Sequence, residues 1–95
     1  RAFMMEMCQE FSDHLSDRMQ EMKSALHAGD INTLSRLAHN LKGLSMNFSA
    51  VPLSNLAIRL EACGKQENLA ESSALVEHVE KEAVRLQEYI AQLLH

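Results

Sequence analysis

The stretch DINTLSRLAHNLKGLSMNFS, residues 30–49, decides the fold. Ile31, Leu34, Leu37, Ala38, Leu41, Leu44, Ser45 and Phe48 recur every three or four residues, which is the period of an amphipathic helix. Asp30 stands where an N-cap belongs, and the pattern predicts a helix ending near Ser49. A helix with one apolar stripe must bury it against other elements. The chain on either side offers three more stripes of the same period.

Upstream, Phe3, Met7, Phe11, Leu15, Met19, Met22 and Leu26 form one stripe, from about Phe3 to Ala28. Ser12 and Asp13 are N-cap residue types, so a short separate helix could precede the main one. Gly29 is a natural C′ residue for this segment. Downstream, Pro52 suits the first turn of a helix carrying Leu53, Leu56, Ala57, Leu60 and Cys63, with Gly64 placed to close it. Asn68 and Glu71 resemble a capping box. They open a long stripe through Leu69, Ser72, Val76, Val79, Ala83, Leu86, Ile90 and Leu93. A helix from Leu69 to Leu94 would be roughly 39 Å long. Four amphipathic helices joined by short turns predict an all-α, antiparallel up-down four-helix bundle over residues 1–95, one domain.

Composition agrees. The chain has 95 residues, 46% hydrophobic and 23% charged, as an ordinary globular domain has. Aromatics are 4%, with no Trp and six Met, which predicts an aliphatic core filled in by methionine. One Pro and three Gly are too few for a turn-rich β fold. The net charge of −4 and the lack of a basic tract argue against nucleic acid as a partner. No apolar run is long enough to span a membrane, and none reads as a signal peptide. The chain opens on Arg1 rather than Met, which suggests a module of a longer protein.

Cys8 and Cys63 could be two reduced thiols in or near the core, or one disulfide. Of the five histidines, His14, His27, His39, His78 and His95, no two have the spacing that places metal ligands on one helix face, so no metal site is expected. The acidic run Glu77, Glu80 and Glu82, with Lys81, Arg85 and Glu88, reads as a solvated helix face.

The informative residues lie opposite the stripe of the second helix. That stripe centres on Leu41, and His39 points about 160° away from it. Asn32, Ser35, Arg36, Gly43 and Met46 share the solvent face, and Lys42 borders it. Gly43 costs about 1 kcal/mol in mid-helix relative to Ala, with no core packing to justify it. Beside an exposed histidine it leaves a flat spot where another surface can come close. Met46 adds exposed apolar surface one turn on. A neutral imidazole can attack a phosphoryl group, and Lys42, three residues on, could offset the new charge. The chain has no glycine-rich phosphate loop and no acidic cluster for Mg²⁺. It is expected to bind no ATP, to hold no cofactor and to catalyse no transfer alone.

The run His39-Asn40-Leu41-Lys42-Gly43-Leu44-Ser45 resembles the H-x-L-K-G-x-S signature of histidine-containing phosphotransfer (HPt) domains. The likeness continues through Ala50, Leu53, Leu60 and Glu61, and upstream through Ala28-Gly29-Asp30 and Leu37-Ala38. The resemblance implies that His39 takes a phosphoryl group on its outer ring nitrogen and that Lys42 stabilises it. It implies room for the partner at Gly43, and Glu61 as a ring-orienting residue. Partners would be response-regulator receiver domains that bring an aspartate and Mg²⁺. Asn32, Ser35, Arg36 and Met46 are docking candidates by angle. The family setting implies a monomeric, cytoplasmic domain with no membrane contact of its own, often the C-terminal module of a bacterial hybrid sensor kinase. Two positions depart from the pattern: Ser49 stands where the family usually has Gly, and Leu44 where it often has a small residue. Two rival readings remain: an adaptor that binds receivers or helices through the same face without phosphate, and a structural segment whose fourth helix pairs with another chain.

Overall fold

In a computed structural model, described here over residues 2–94 and, for side chains, 3–94, the chain forms four helices. They are α1 (Ala2–His27), α2 (Ile31–Asn47), α3 (Val51–Lys65) and α4 (Leu69–Leu94). They pack as an antiparallel bundle in which α1 touches α2 and α4, and α3 touches α2 and α4. Among the described residues no strand is present, and no helix is long and apolar enough to cross a membrane. Arg1 and His95 lie outside the described residues.

The three connections repeat one device. At residues 28–30, 48–50 and 66–68 the chain leaves a helix through a residue in the left-handed region: Gly29 (φ 69°), Ser49 (φ 55°) and Glu67 (φ 57°). In each, the next N–H reaches back five residues to a helix carbonyl: Asp30 to Ala25 (2.9 Å), Ala50 to Ser45 (2.9 Å) and Asn68 to Cys63 (3.1 Å). This is the Schellman closure, which satisfies orphan carbonyls. The departure at Ser49 therefore leaves the turn intact, at the steric cost of a Cβ in that region. Gly64 does not close α3, contrary to the sequence expectation. It is buried inside the helix, and the left-handed step falls on Glu67.

The N-termini follow the sequence more closely. Asp30 accepts from the Thr33 backbone N–H (3.2 Å) and from its hydroxyl (2.6 Å). Asn68 accepts from the Glu71 N–H (3.1 Å), and its amide donates to the Glu71 carboxylate (3.2 Å). Pro52 lies in the first turn of α3. The separate helix considered before Ser12 does not form, and α1 is continuous. Phe11 and Leu15 are both buried and hold one register across that point. The Asp13 carboxylate takes a hydrogen bond from Gln9 (3.0 Å) instead of capping.

The core runs from Phe11 to Ile90, with Leu15, Met22, Leu34, Leu41, Leu53, Leu60 and Val79 fully buried. Phe11 and Phe48 stack with centroids 4.3 Å apart at the end where α2 turns into α3. Gln87 donates to the Ser12 carbonyl and the Ser16 hydroxyl, both at 2.8 Å, and ties α4 to α1 near the same level. Beyond it α1 and α4 continue without α2 and α3. Phe3 (73% exposed) and Met7, read as core from their spacing, are therefore exposed, as is Leu93. Leu69, first residue of α4, is exposed as well. Met19 and Met22 fill the core, as composition suggested. Both cysteines are free: Cys63 is buried and Cys8 half-buried. Burial, with the negative charge of Glu71, pushes the Cys63 thiol up. It is an inert core group.

Candidate functional site

The site is set by how closely α2 and α3 approach. Gly64 faces Ser35, and a Cβ on Gly64 would lie 2.9 Å from the Ser35 Cβ and 3.3 Å from its Cα. Backbone-proximal atoms cannot yield cheaply, so only glycine fits. The Ser35 hydroxyl donates to the Glu61 carbonyl (3.3 Å) at the same level. Ser35, read from its angle as a docking residue, is thus half-buried in the α2–α3 seam. The angle on α2 alone does not reveal the flank on which α3 packs.

This contact lies one turn before His39 on α2 and one turn after Glu61 on α3, and it brings the two side chains together. The His39 side chain is 60% exposed, and its Nδ1 lies 3.0 Å from Glu61 Oε2. The Glu61 side chain is only 15% exposed. Lys42 Nζ lies 3.7 Å from Glu61 Oε1, and Lys65 Nζ lies 3.6 Å from Oε2. Burial pushes the Glu61 carboxyl up, but the His39 hydrogen bond and the charges of His39, Lys65 and Lys42 outweigh it and hold the pKa below its ordinary value. Glu61 is therefore a carboxylate at neutral pH, and a carboxylate can only accept. The proton of a neutral imidazole sits on the nitrogen facing that acceptor, Nδ1. The lone pair is then on Nε2, which makes no hydrogen bond among the described residues. The arrangement presents a nucleophilic nitrogen outward and backs the ring with a negative charge.

Around His39 the surface is open. Gly43 is exposed, and a Cβ there would meet nothing within 4 Å. Asn32, Arg36 and Met46 are exposed on the same helix. Leu44 is half-buried and packs on the core. Sequence reasoning missed three residues here. Lys65 is one turn on from Glu61, the i, i+4 spacing that signals an ion pair. Val51 and Ile58 of α3 are exposed and line a shallow apolar groove with Met46. Ile58 is three residues before Glu61, so the helix period puts it on the same side. Among the described residues no group of three or more His, Cys, Asp or Glu side chains gathers as a metal site.

Comparisons with known proteins bear on the family and the fold. The Hpt domain family model matches residues 6–95. The crystal structure of histidine-containing phosphotransfer protein B (HptB) from Pseudomonas aeruginosa PAO1 is similar, with a TM-score of 0.91 and 29% sequence identity over 95% of this chain and 78% of that chain. No match is found among curated proteins.

Proposed function

Because the chain belongs to the Hpt domain family, whose members pass phosphoryl groups through a histidine in phosphorelays, we propose that His39 is the phosphoryl carrier and that receiver-domain aspartates are its donor and acceptor. The observation that carries this reading is an exposed imidazole whose Nδ1 is held 3.0 Å from a carboxylate, leaving Nε2 free. In the forward step the Nε2 lone pair attacks the phosphorus of an aspartyl phosphate. An N–P bond forms, the P–O bond to aspartate breaks, and the carboxylate leaves with the electron pair. The ring, still protonated on Nδ1, gains positive charge opposite Glu61. Transfer to the next aspartate is the reverse. Lys42 neutralises phosphoryl charge. Gly43, with Asn32, Arg36 and Met46, forms the docking face, and the groove of Met46, Val51 and Ile58 extends it.

The receiver brings the Mg²⁺ and the aspartate; this domain brings the nucleophile and binds no cofactor. The proposal extends to a cytoplasmic, monomeric domain. It includes the setting of a hybrid sensor kinase module, with a separately encoded carrier as the alternative form. An immunoblot of the source cells distinguishes the two by mass.

The test is phosphoryl transfer from several phosphorylated receivers with Mg²⁺. Acid-labile, base-stable phosphate should appear on the native chain and be absent from His39→Gln, which should keep its helicity because His39 is exposed. Binding of receivers without any label would replace this reading with the phosphate-free adaptor.

A further inference from the structure

The end of the molecule past the α2–α3 turn is an open half-bundle. Its floor is the stacked pair Phe11 and Phe48. Beyond that floor α1 and α4 run on side by side, and neither α2 nor α3 covers them. Phe3 and Met7 step back from buried Phe11 at helix-turn intervals, so they hold the same side of α1. Leu93 follows buried Ile90 on α4 in the same way. Phe3, Met7 and Leu93 are exposed, as is Met4, while Cys8 is half-buried against the core. The core stripe of both helices thus continues uncovered into a ledge about 12 Å long, from Phe11 back to Phe3. Contiguous apolar surface of this kind, rich in Met and Phe, marks a contact face.

The charge around the ledge selects what can cover it. Over residues 3–11 and 88–94 the charged side chains are Glu6, Glu10 and Glu88, all exposed, with no Lys or Arg among them. A second copy of this chain would set those carboxylates against their own like, which disfavours it. A helix with basic flanks meets opposite charge on both sides of the ledge, Glu6 and Glu10 on α1 and Glu88 on α4. We infer that the ledge docks an amphipathic helix of a partner protein, its apolar stripe flanked by Lys or Arg, and that this helix completes the open end of the bundle as a third helix. The unbranched side chains of Met4 and Met7 can repack around differing apolar stripes. The ledge lies past the end of α2, whereas His39 is inside that helix, so the inference is independent of phosphorylation.

The test titrates the domain with two helical peptides of about 18 residues that share one leucine stripe, the first with Lys and the second with Glu at every polar position. The Lys peptide should bind with one-to-one stoichiometry in calorimetry, more weakly as salt is added, and the Glu peptide should not bind. Met7→Ser and Leu93→Ser should each weaken the Lys peptide about tenfold. Val84→Ser, at a comparably exposed apolar site elsewhere on α4, should leave its affinity unchanged. Cys63 is buried, so alkylation of the native domain reports Cys8, and bound Lys peptide should slow it several-fold. Circular dichroism of all the variants should coincide, because the substituted side chains are exposed. Equal binding of the two peptides, or unchanged affinity in Met7→Ser and Leu93→Ser, would overturn the inference. So would a dimer of the domain alone that Leu93→Ser abolishes, since the second copy would then be the occupant.

Discussion

The short pair α2–α3 and the long pair α1–α4 solve different problems with similar amphipathic helices. In the short pair a glycine faces a serine, the backbones come close, and polar groups cross the seam from Ser35 to Glu61 and from Glu61 to His39 and Lys42. In the long pair large side chains such as Leu15 and Met22 fill the interior, and polar links such as Gln87 to Ser16 and the Lys23–Glu80 ion pair lie at the margins. The long pair then overruns the short one and leaves Phe3 and Leu93 exposed. Close approach builds a site, whereas bulk builds a scaffold. The proposed function falls to the half of the bundle where the glycine facing Ser35 could least accept a larger side chain.

The contrast can be broken from either side. The largest effect should come from the shared core: Leu60→Ala in the short pair and Leu15→Ala in the long pair should each lose about 2–5 kcal/mol in denaturant unfolding. Gly64→Ala should cost less, about 1–2 kcal/mol, because the forced separation of α2 and α3 is partly offset by better helix propensity. It should also slow phosphoryl transfer by loosening the His39–Glu61 contact. Ser35→Gly should restore transfer in the double variant, since the Cβ then moves from one helix to the other; a double variant as slow as Gly64→Ala would refute the close-approach account. Ser49→Gly should work in the opposite direction, adding up to about 1 kcal/mol by relieving the left-handed strain and leaving transfer unchanged.

Acid separates the halves more gently. The Glu61 carboxyl is held below its ordinary value, so its contribution is complete above about pH 4.3 and disappears as pH falls through the lowered value. The melting-temperature gap between native and Glu61→Gln should be widest near neutrality and close below about pH 4. A gap that widened in acid would reverse the assigned sign. The smallest effect belongs to the overrun: Phe3→Ser should change stability by less than about 0.5 kcal/mol.

The same contrast explains what the sequence made legible. Period and caps reveal four helices, and the angle on α2 alone sets His39, Lys42 and Gly43 apart from the core. That angle misplaced Ser35, because one helix does not disclose on which flank its neighbour packs. Gly64 reads as a terminator in isolation, and only the facing Ser35 shows that it serves close approach. Phe3 and Met7 continue a faithful stripe past the point where partners exist to cover it. Glu61 emerged through family resemblance, whereas Lys65 was accessible from its i, i+4 spacing to Glu61 and was missed.

The most direct measurement is a ¹⁵N NMR spectrum of the histidine-labelled domain before and after phosphorylation by a receiver. The account predicts that His39 alone changes, with phosphorus coupled to Nε2 and the proton retained on Nδ1 beside Glu61. Phosphorus on Nδ1, or on any of the other histidines, would contradict it.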